Sequence, residues 1–166
     1  MFQFIYLTND NFPSILVSSS VLSEEDNGLN NYLIITYSNA GAEINEDLRD
    51  GVASAGGYRG SLYYVPGTGT VYELINEAPN NNPSCQVSLL DNGHLYLYAS
   101  GWTEVLEGYE GPDDKEHLKW FCNSDEVSAE EYEENLNEAT NNLTGTAFYS
   151  IEFMDKTTML NMLLSE

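Results

Sequence analysis

The stretch QVSLLDNGHLYLY, residues 86–98, decides the fold class of this 166-residue chain. Two apolar-rich runs, residues 86–90 and 94–98, flank the tripeptide Asp91-Asn92-Gly93. Asn and Gly tolerate positive φ angles, so this tripeptide predicts the turn of a β-hairpin. In the second run leucines alternate with tyrosines, which places the two residue types on opposite faces of a sheet.

Similar runs recur along the chain. β-Branched and aromatic residues bounded by turn residues predict strands at residues 2–7, 15–18, 32–37, 62–65, 71–74, 86–90, 94–98, 117–122 and 147–153. The segment Pro66-Gly67-Thr68-Gly69 predicts a second hairpin turn. Short strands separated by such turns are typical of a largely antiparallel sheet.

Two helices are predicted near the C-terminus. Ser128 is a suitable N-cap, and Glu131 stands three residues later, as in a capping box. Apolar residues then recur on one helical stripe: Tyr132, Leu136, Ala139 and Leu143. A second helix begins after Asp155, and a weaker helical pattern covers residues 43–54. We therefore predict an α+β fold, a mostly antiparallel β-sheet with hairpins and two C-terminal helices packed on it, in a single domain at residues 1–166.

The charge limits the classes of partner. The chain has 27 acidic and 5 basic residues, for a net charge of -22. Binding to nucleic acid or to an anionic membrane through a basic patch is excluded, because the basic residues are too few and too scattered: Arg49, Arg59, Lys115, Lys119 and Lys156. A field of this sign attracts basic partners. Since 42% of the residues are hydrophobic, the chain can also bury a core.

The acidity is concentrated between residues 104 and 138. Thirteen acids lie there with two lysines, so about a fifth of the chain carries half of the net charge. We predict that this segment binds a basic protein that handles nucleic acid, with two aromatic anchors among the carboxylates. The predicted partner-binding residues are Glu104, Glu107, Glu110, Asp113, Asp114, Glu116, Asp125, Glu126, Glu130, Glu133 and Glu134, with Trp102 and Tyr109 as the anchors.

Signatures of catalysis are absent from the sequence. It contains no GxSxG, HExxH or GxxxxGK[ST] motif, and no pattern predicts a cofactor. His117 and Cys122 would point to opposite faces of one strand, which argues against a nucleophile–base pair. We therefore predict that the protein is not an enzyme. Cys85 and Cys122 could form one disulfide or remain two buried thiols.

Three stretches resemble one family. YLTNDNFPSIL (residues 6–16), GSLYYVPGTGTVYEL (residues 60–74) and DEVSAEEYEENLNEA (residues 125–139) are similar to segments of uncharacterised bacterial domains of secreted or lipoprotein type. The resemblance implies an extracytoplasmic accessory domain and no particular activity. Thr8, Asn11 and Ser14 stand where the family pattern has Asp, Gly and Glu. We therefore predict that TNDNFP is a turn between strands and not a metal-binding loop.

Two functions remain as hypotheses. In size and charge the chain is similar to acidic DNA-mimic inhibitors of the anti-CRISPR and anti-restriction type. That similarity implies a non-catalytic inhibitor or antidote that occupies the basic nucleic-acid-binding surface of a partner by phosphate mimicry. The alternative is the extracytoplasmic accessory domain. We expect a cytoplasmic protein if Met1 is the native start, and an extracytoplasmic one if a leader was removed.

Overall fold

The computed structural model describes residues 1–9, 12–19, 29–39, 41–52, 59–77, 82–107, 117–140 and 145–164. The elements within these residues are, in order, β1 (Phe2–Ile5), β2 (Ser14–Ser19), β3 (Leu29–Ser38), β4 (Gly41–Val52), β5 (Arg59–Val65), β6 (Thr70–Glu77), β7 (Asn82–Asp91), β8 (His94–Val105), β9 (Leu118–Cys122), β10 (Asp125–Val127), α1 (Ala129–Ala139), β11 (Thr146–Ala147), a 3-10 turn (Phe148–Ser150) and α2 (Lys156–Leu163). The predicted α+β class is confirmed.

The sheet is an antiparallel meander. Each strand from β1 to β10 pairs with the next one along the chain, and β11 pairs with β5. The turn between β7 and β8 contains Asn92 at φ 48° and Gly93 at φ 90°, as the hairpin prediction requires. Gly67 and Gly69 hold φ angles of 77° and 73° in the turn between β5 and β6. Both predicted hairpins are therefore confirmed.

The first strands fold back over the middle of the sheet. Just after β1, the carbonyl of Tyr6 accepts a hydrogen bond from the Gly67 amide at 3.0 Å. On β4, the Asn45 side chain donates to the Gly93 carbonyl at 3.0 Å and accepts from the Leu95 amide at 2.7 Å. These contacts bring β1–β4 against the two hairpins of β5–β8 and enclose a core between them.

That core contains the residues most completely removed from solvent. Its buried members are Ile5, Leu7, Leu16, Tyr32, Ile34, Leu62, Val71 and Phe148. Phe148 is 0% exposed, and its ring meets that of Tyr32 edge-on at a centroid distance of 5.3 Å. A second cluster lies on the other face of β5–β7: Val65, Tyr72, Cys85 and Val87, against which Leu136 and Ala139 of α1 pack. Alternation along the strands thus serves two cores, one on each face.

Two predictions of secondary structure are wrong. The weak helical pattern at residues 43–54 belongs to β4, in which Ile44 pairs with Ile35 and Leu48 pairs with Tyr32. The register shifts between these pairs, so the two apolar residues lie on opposite faces although their spacing of four suggests a helix. The strand predicted at residues 147–153 is mostly absent, because only Thr146–Ala147 pairs with β5 before the 3-10 turn begins.

The predicted N-terminus of α1 is confirmed. The Ser128 hydroxyl accepts a hydrogen bond from the Glu131 amide at 3.1 Å, and Asp155 caps α2 in the same way through Thr158 at 2.7 Å. Within the described residues, neither helix has the length and apolar character that crossing a membrane requires.

Ser128→Ala is expected to lower the free energy of unfolding by about 1 kcal/mol, because an amide in the first turn of α1 loses its acceptor. Denaturant unfolding followed by circular dichroism measures the change. Ser128→Asn keeps a capping oxygen and should unfold like the unsubstituted chain. An equal loss in both variants would show that the loss does not come from the capping oxygen.

Candidate functional site

Helix α1 presents one acidic face and one apolar face. Glu130, Glu131, Glu133, Glu134 and Glu138 are all exposed. At about 100° per residue they fall within an arc of about 160°, opposite the stripe of Tyr132, Leu136 and Ala139. Tyr132 is 4% exposed and packs on Trp120 at a centroid distance of 4.9 Å. The apolar stripe therefore fixes the helix on the sheet and turns its glutamates outward.

The spacing of these glutamates gives a dense line of charge. The helix rises about 1.5 Å per residue, so the five carboxylates between positions 130 and 138 span about 12 Å of axis. That is about one charge per 3 Å, close to about 3.4 Å per phosphate along one strand of DNA. The last turn of α1 contains no basic residue.

The acids on the strands divide between the two faces of the sheet. Trp120 and Gly101 face α1, since both contact Tyr132. Glu126 is registered with Phe121, which in turn is registered with Trp102, so all three lie on the opposite face. Glu104, two residues beyond Trp102, is also on that side. The structure thus separates Trp102, Glu104 and Glu126 from the acidic face of the helix.

On that opposite face the predicted anchor Trp102 already packs against another side chain of the same protein. Its ring stacks on Phe121 at a centroid distance of 5.4 Å and an angle of 9°. Lys119 lies 3.8 Å from Glu126 and neutralises part of the local charge. Glu107 is exposed just after β8, and Asp125 is exposed at the start of β10. The other predicted residues, Tyr109, Glu110, Asp113, Asp114 and Glu116, lie outside the described residues.

A groove of about 570 Å³ lies between one side of α1 and the sheet on which the helix packs. Its lining is mixed: apolar side chains include Val87, Ala99, Leu136 and Ala139, and polar ones at the rim include Asp125, Glu131, Asn135, Glu138 and Tyr98. At one end of the groove Gly101 lies directly beneath the ring of Tyr132, because a Cβ there would lie 2.5 Å from Cε2 of that ring. The groove therefore combines a few apolar side chains with several carboxylates at its mouth.

Cys85 and Cys122 lie on either side of Gly101, and both line this groove. They are two strand spacings apart, about 10 Å, whereas a disulfide needs Cα atoms within about 7 Å. Both are free thiols. Burial, with smaller effects from Glu73 and Cys122, raises the pKa of Cys85 to about 12, so this thiol stays protonated at neutral pH. The structure therefore favours two free thiols over the disulfide, although only Cys85 is buried and Cys122 is half-buried.

Among the residues that the structure describes, the remaining titratable groups are not brought together into a catalytic or metal site. Five residue steps, mostly along the extended strand β9, separate His117 from Cys122 by about 16 Å, which is too far for proton transfer between them. His94 is an exposed residue whose Nε2 lies 3.4 Å from a Glu43 carboxylate oxygen. Across the part of the chain that the structure describes, no three His, Cys, Asp or Glu residues are grouped so that they could hold a metal ion.

Four residues of the groove rim were not among the predicted partner-binding residues: Tyr98, Glu131, Asn135 and Glu138. The spacing of 131, 135 and 138 follows a helical stripe, so the three could have been assigned to one side of α1 from sequence. This side borders a groove because α1 packs over β8, through the contact of Tyr132 with Gly101. No local pattern in the sequence reveals that contact.

Comparison with models of protein families, with curated proteins and with solved structures finds no significant match to this chain. The resemblance to secreted bacterial domains therefore stays a prediction, and the function has to be argued from the residues themselves.

Proposed function

We propose that this protein is a non-catalytic acidic binding protein that occupies the basic nucleic-acid-binding surface of a partner protein, as an inhibitor or antidote. The observation that supports this proposal is the acidic face of α1, where five exposed glutamates follow one another at about 3 Å of axis per charge. A partner that binds phosphates meets there a similar linear density of negative charge.

Carboxylates suit this role for two chemical reasons. An ionised glutamate only accepts hydrogen bonds, as a phosphate oxygen does, so the Arg and Lys side chains of a phosphate-binding surface can donate to it. The surrounding field of a chain with net charge -22 also speeds encounter with a basic partner. Hydrogen bonding to these glutamates requires that the helix hold them outward, and the packing of Tyr132 on Trp120 favours that orientation.

The alternative, an extracytoplasmic accessory domain, has lost one of its supports. A Cys85–Cys122 disulfide would have favoured it, and the two thiols lie on either side of Gly101 with a strand between them. We therefore place the inhibitor or antidote first.

The proposal predicts a charge-dependent association. Protein immobilised and exposed to an extract of its native host should retain a basic nucleic-acid-binding protein, and the purified partner should lose its nucleic acid when this protein is added. The association rate should fall by about a hundredfold between low and high salt, because salt screens the steering field. Surface plasmon resonance across a salt series measures that rate.

Matched variants locate the effect on α1. Glu130→Gln, Glu134→Gln and Glu138→Gln combined should weaken capture far more than Asp91→Asn, Glu104→Gln and Glu107→Gln combined, which removes the same charge elsewhere. An affinity that is insensitive to salt, or a partner that binds both triple variants alike, would contradict the proposal.

A further inference from the structure

The groove beside α1 has two properties that the acidic face of the helix lacks. It is partly enclosed, and apolar side chains form part of its floor, with Val87 and Ala99 from the sheet and Leu136 from the helix. Its volume of about 570 Å³ lies within the range of pockets that hold a discrete chemical group. A flat array of charges, by contrast, holds no particular side chain.

Exposed aromatic residues continue from the mouth of the groove. Tyr98 lines the groove and is 56% exposed. The register of β7 and β8 shifts here, since Val87 pairs with Ala99 and Ser88 pairs with Leu97. The extra residue of this bulge lets Tyr98 and Ala99 both border the groove. Tyr96, two residues before Tyr98, is 46% exposed on the same side of the strand.

We infer that this groove receives an Arg or Lys side chain from an extended or helical segment of the basic partner, with Tyr96 and Tyr98 as apolar anchors beside it. This inference rests on the proposed function and names the contact that would make the association specific. Charge complementarity selects the occupant, because the charged side chains at the rim on the α1 side are all acidic: Asp125, Glu131 and Glu138.

The geometry matches the two parts of such a side chain. A basic side chain has an apolar stem and a charged head, and it favours sites where the stem contacts apolar surface while the head meets carboxylates. The floor of the groove would take the stem, and Glu131 and Glu138 at the rim would take the head. A guanidinium can also stack on an exposed tyrosine such as Tyr98.

Two peptides of equal charge test the inference. RLRLRLR alternates arginine with leucine, whose side chains can contact Tyr96 and Tyr98, and RGRGRGR has glycine in place of each leucine. Titration of ¹⁵N-labelled protein should show that the leucine peptide binds at least about tenfold more tightly. It should also shift the amide signals of Ala99 and Gly101 at the floor of the groove. Tyr98→Ala should remove most of the difference between the peptides. Equal affinity of both peptides for the unsubstituted protein would overturn the inference.

Charge-matched variants separate the groove from the rest of α1. Glu131→Gln with Glu138→Gln removes two carboxylates at the rim, and Glu130→Gln with Glu134→Gln removes two that do not line the groove. We expect the first pair to weaken binding of the leucine peptide about tenfold and the second about twofold. Circular dichroism checks that both variants fold.

The outcomes distinguish the two proposals. If salt and both pairs of substitutions weaken binding equally, the protein binds basic partners through general charge, and only the groove inference fails. If neither pair has an effect, the proposed function fails with it. If arginine amide alone binds the groove as tightly as the peptide, the site takes a small cation, and a protein segment as its occupant is overturned.

Discussion

Phe148→Ala is expected to lower the free energy of unfolding by about 3–5 kcal/mol, the range found for large aromatic residues truncated in a core. Phe148 is 0% exposed and contacts two aromatic rings, those of Tyr32 at 5.3 Å and Tyr64 at 6.1 Å between centroids. It belongs to the short 3-10 turn after β11, so its ring joins the C-terminal part of the chain to the core between β1–β4 and β5–β6.

The measurement is equilibrium unfolding in urea, monitored by tyrosine and tryptophan fluorescence. Phe12→Ala is the matched control, since the same side chain is lost at a position that is 73% exposed, and it should change stability by no more than about 0.5 kcal/mol. Equal effects of the two substitutions would mean that Phe148 does not close this core. Because unfolding of a small sheet protein is cooperative, Phe148→Ala should also shift the midpoint recorded for α1.

Local signals in the sequence predicted the strands well but not the long-range contacts of the C-terminal segment. The hairpin around Asp91-Asn92-Gly93 follows from turn chemistry alone, and so does the N-cap at Ser128. Phe148 lies in an apolar run that resembles a strand. Pairing with β5 nevertheless ends at Ala147, and a 3-10 turn begins at Phe148. Ile44 and Leu48 show a helical spacing but lie in strand β4, where a bulge between them places their side chains on opposite faces of the sheet.

The candidate site was predicted in part for the same reason. The sequence reveals which acids share a face of α1, because 3.6 residues per turn is a local rule. It does not reveal that Glu126 and Trp102 face the other side of the sheet, since that depends on the register of β8, β9 and β10. Gly101 shows this limit most clearly, because an ordinary glycine in the sequence becomes the packing site of Tyr132 only after β7, β9 and α1 surround it.

Gly101 and Tyr132 form the second contact for which we expect a large effect, because it holds α1 on the sheet. Tyr132→Ala should cost about 3–5 kcal/mol, since the ring is 4% exposed and packs on Trp120. Gly101→Ala should cost about 1–3 kcal/mol by overpacking. A Cβ at position 101 would lie 2.5 Å from Cε2 and 3.1 Å from Cζ of this buried ring, so the ring or the strand would have to shift.

The double variant decides whether this is one contact or two independent effects. The three atoms nearest to a Cβ at position 101 all belong to Tyr132, so Gly101→Ala should cost close to nothing once that ring is removed. Additive costs in urea unfolding would instead place the strain in the strand itself. Loss of the contact also has a functional consequence, because a loosened α1 no longer holds its glutamates in line. Gly101→Ala alone should therefore weaken capture of the basic partner although it changes no charge.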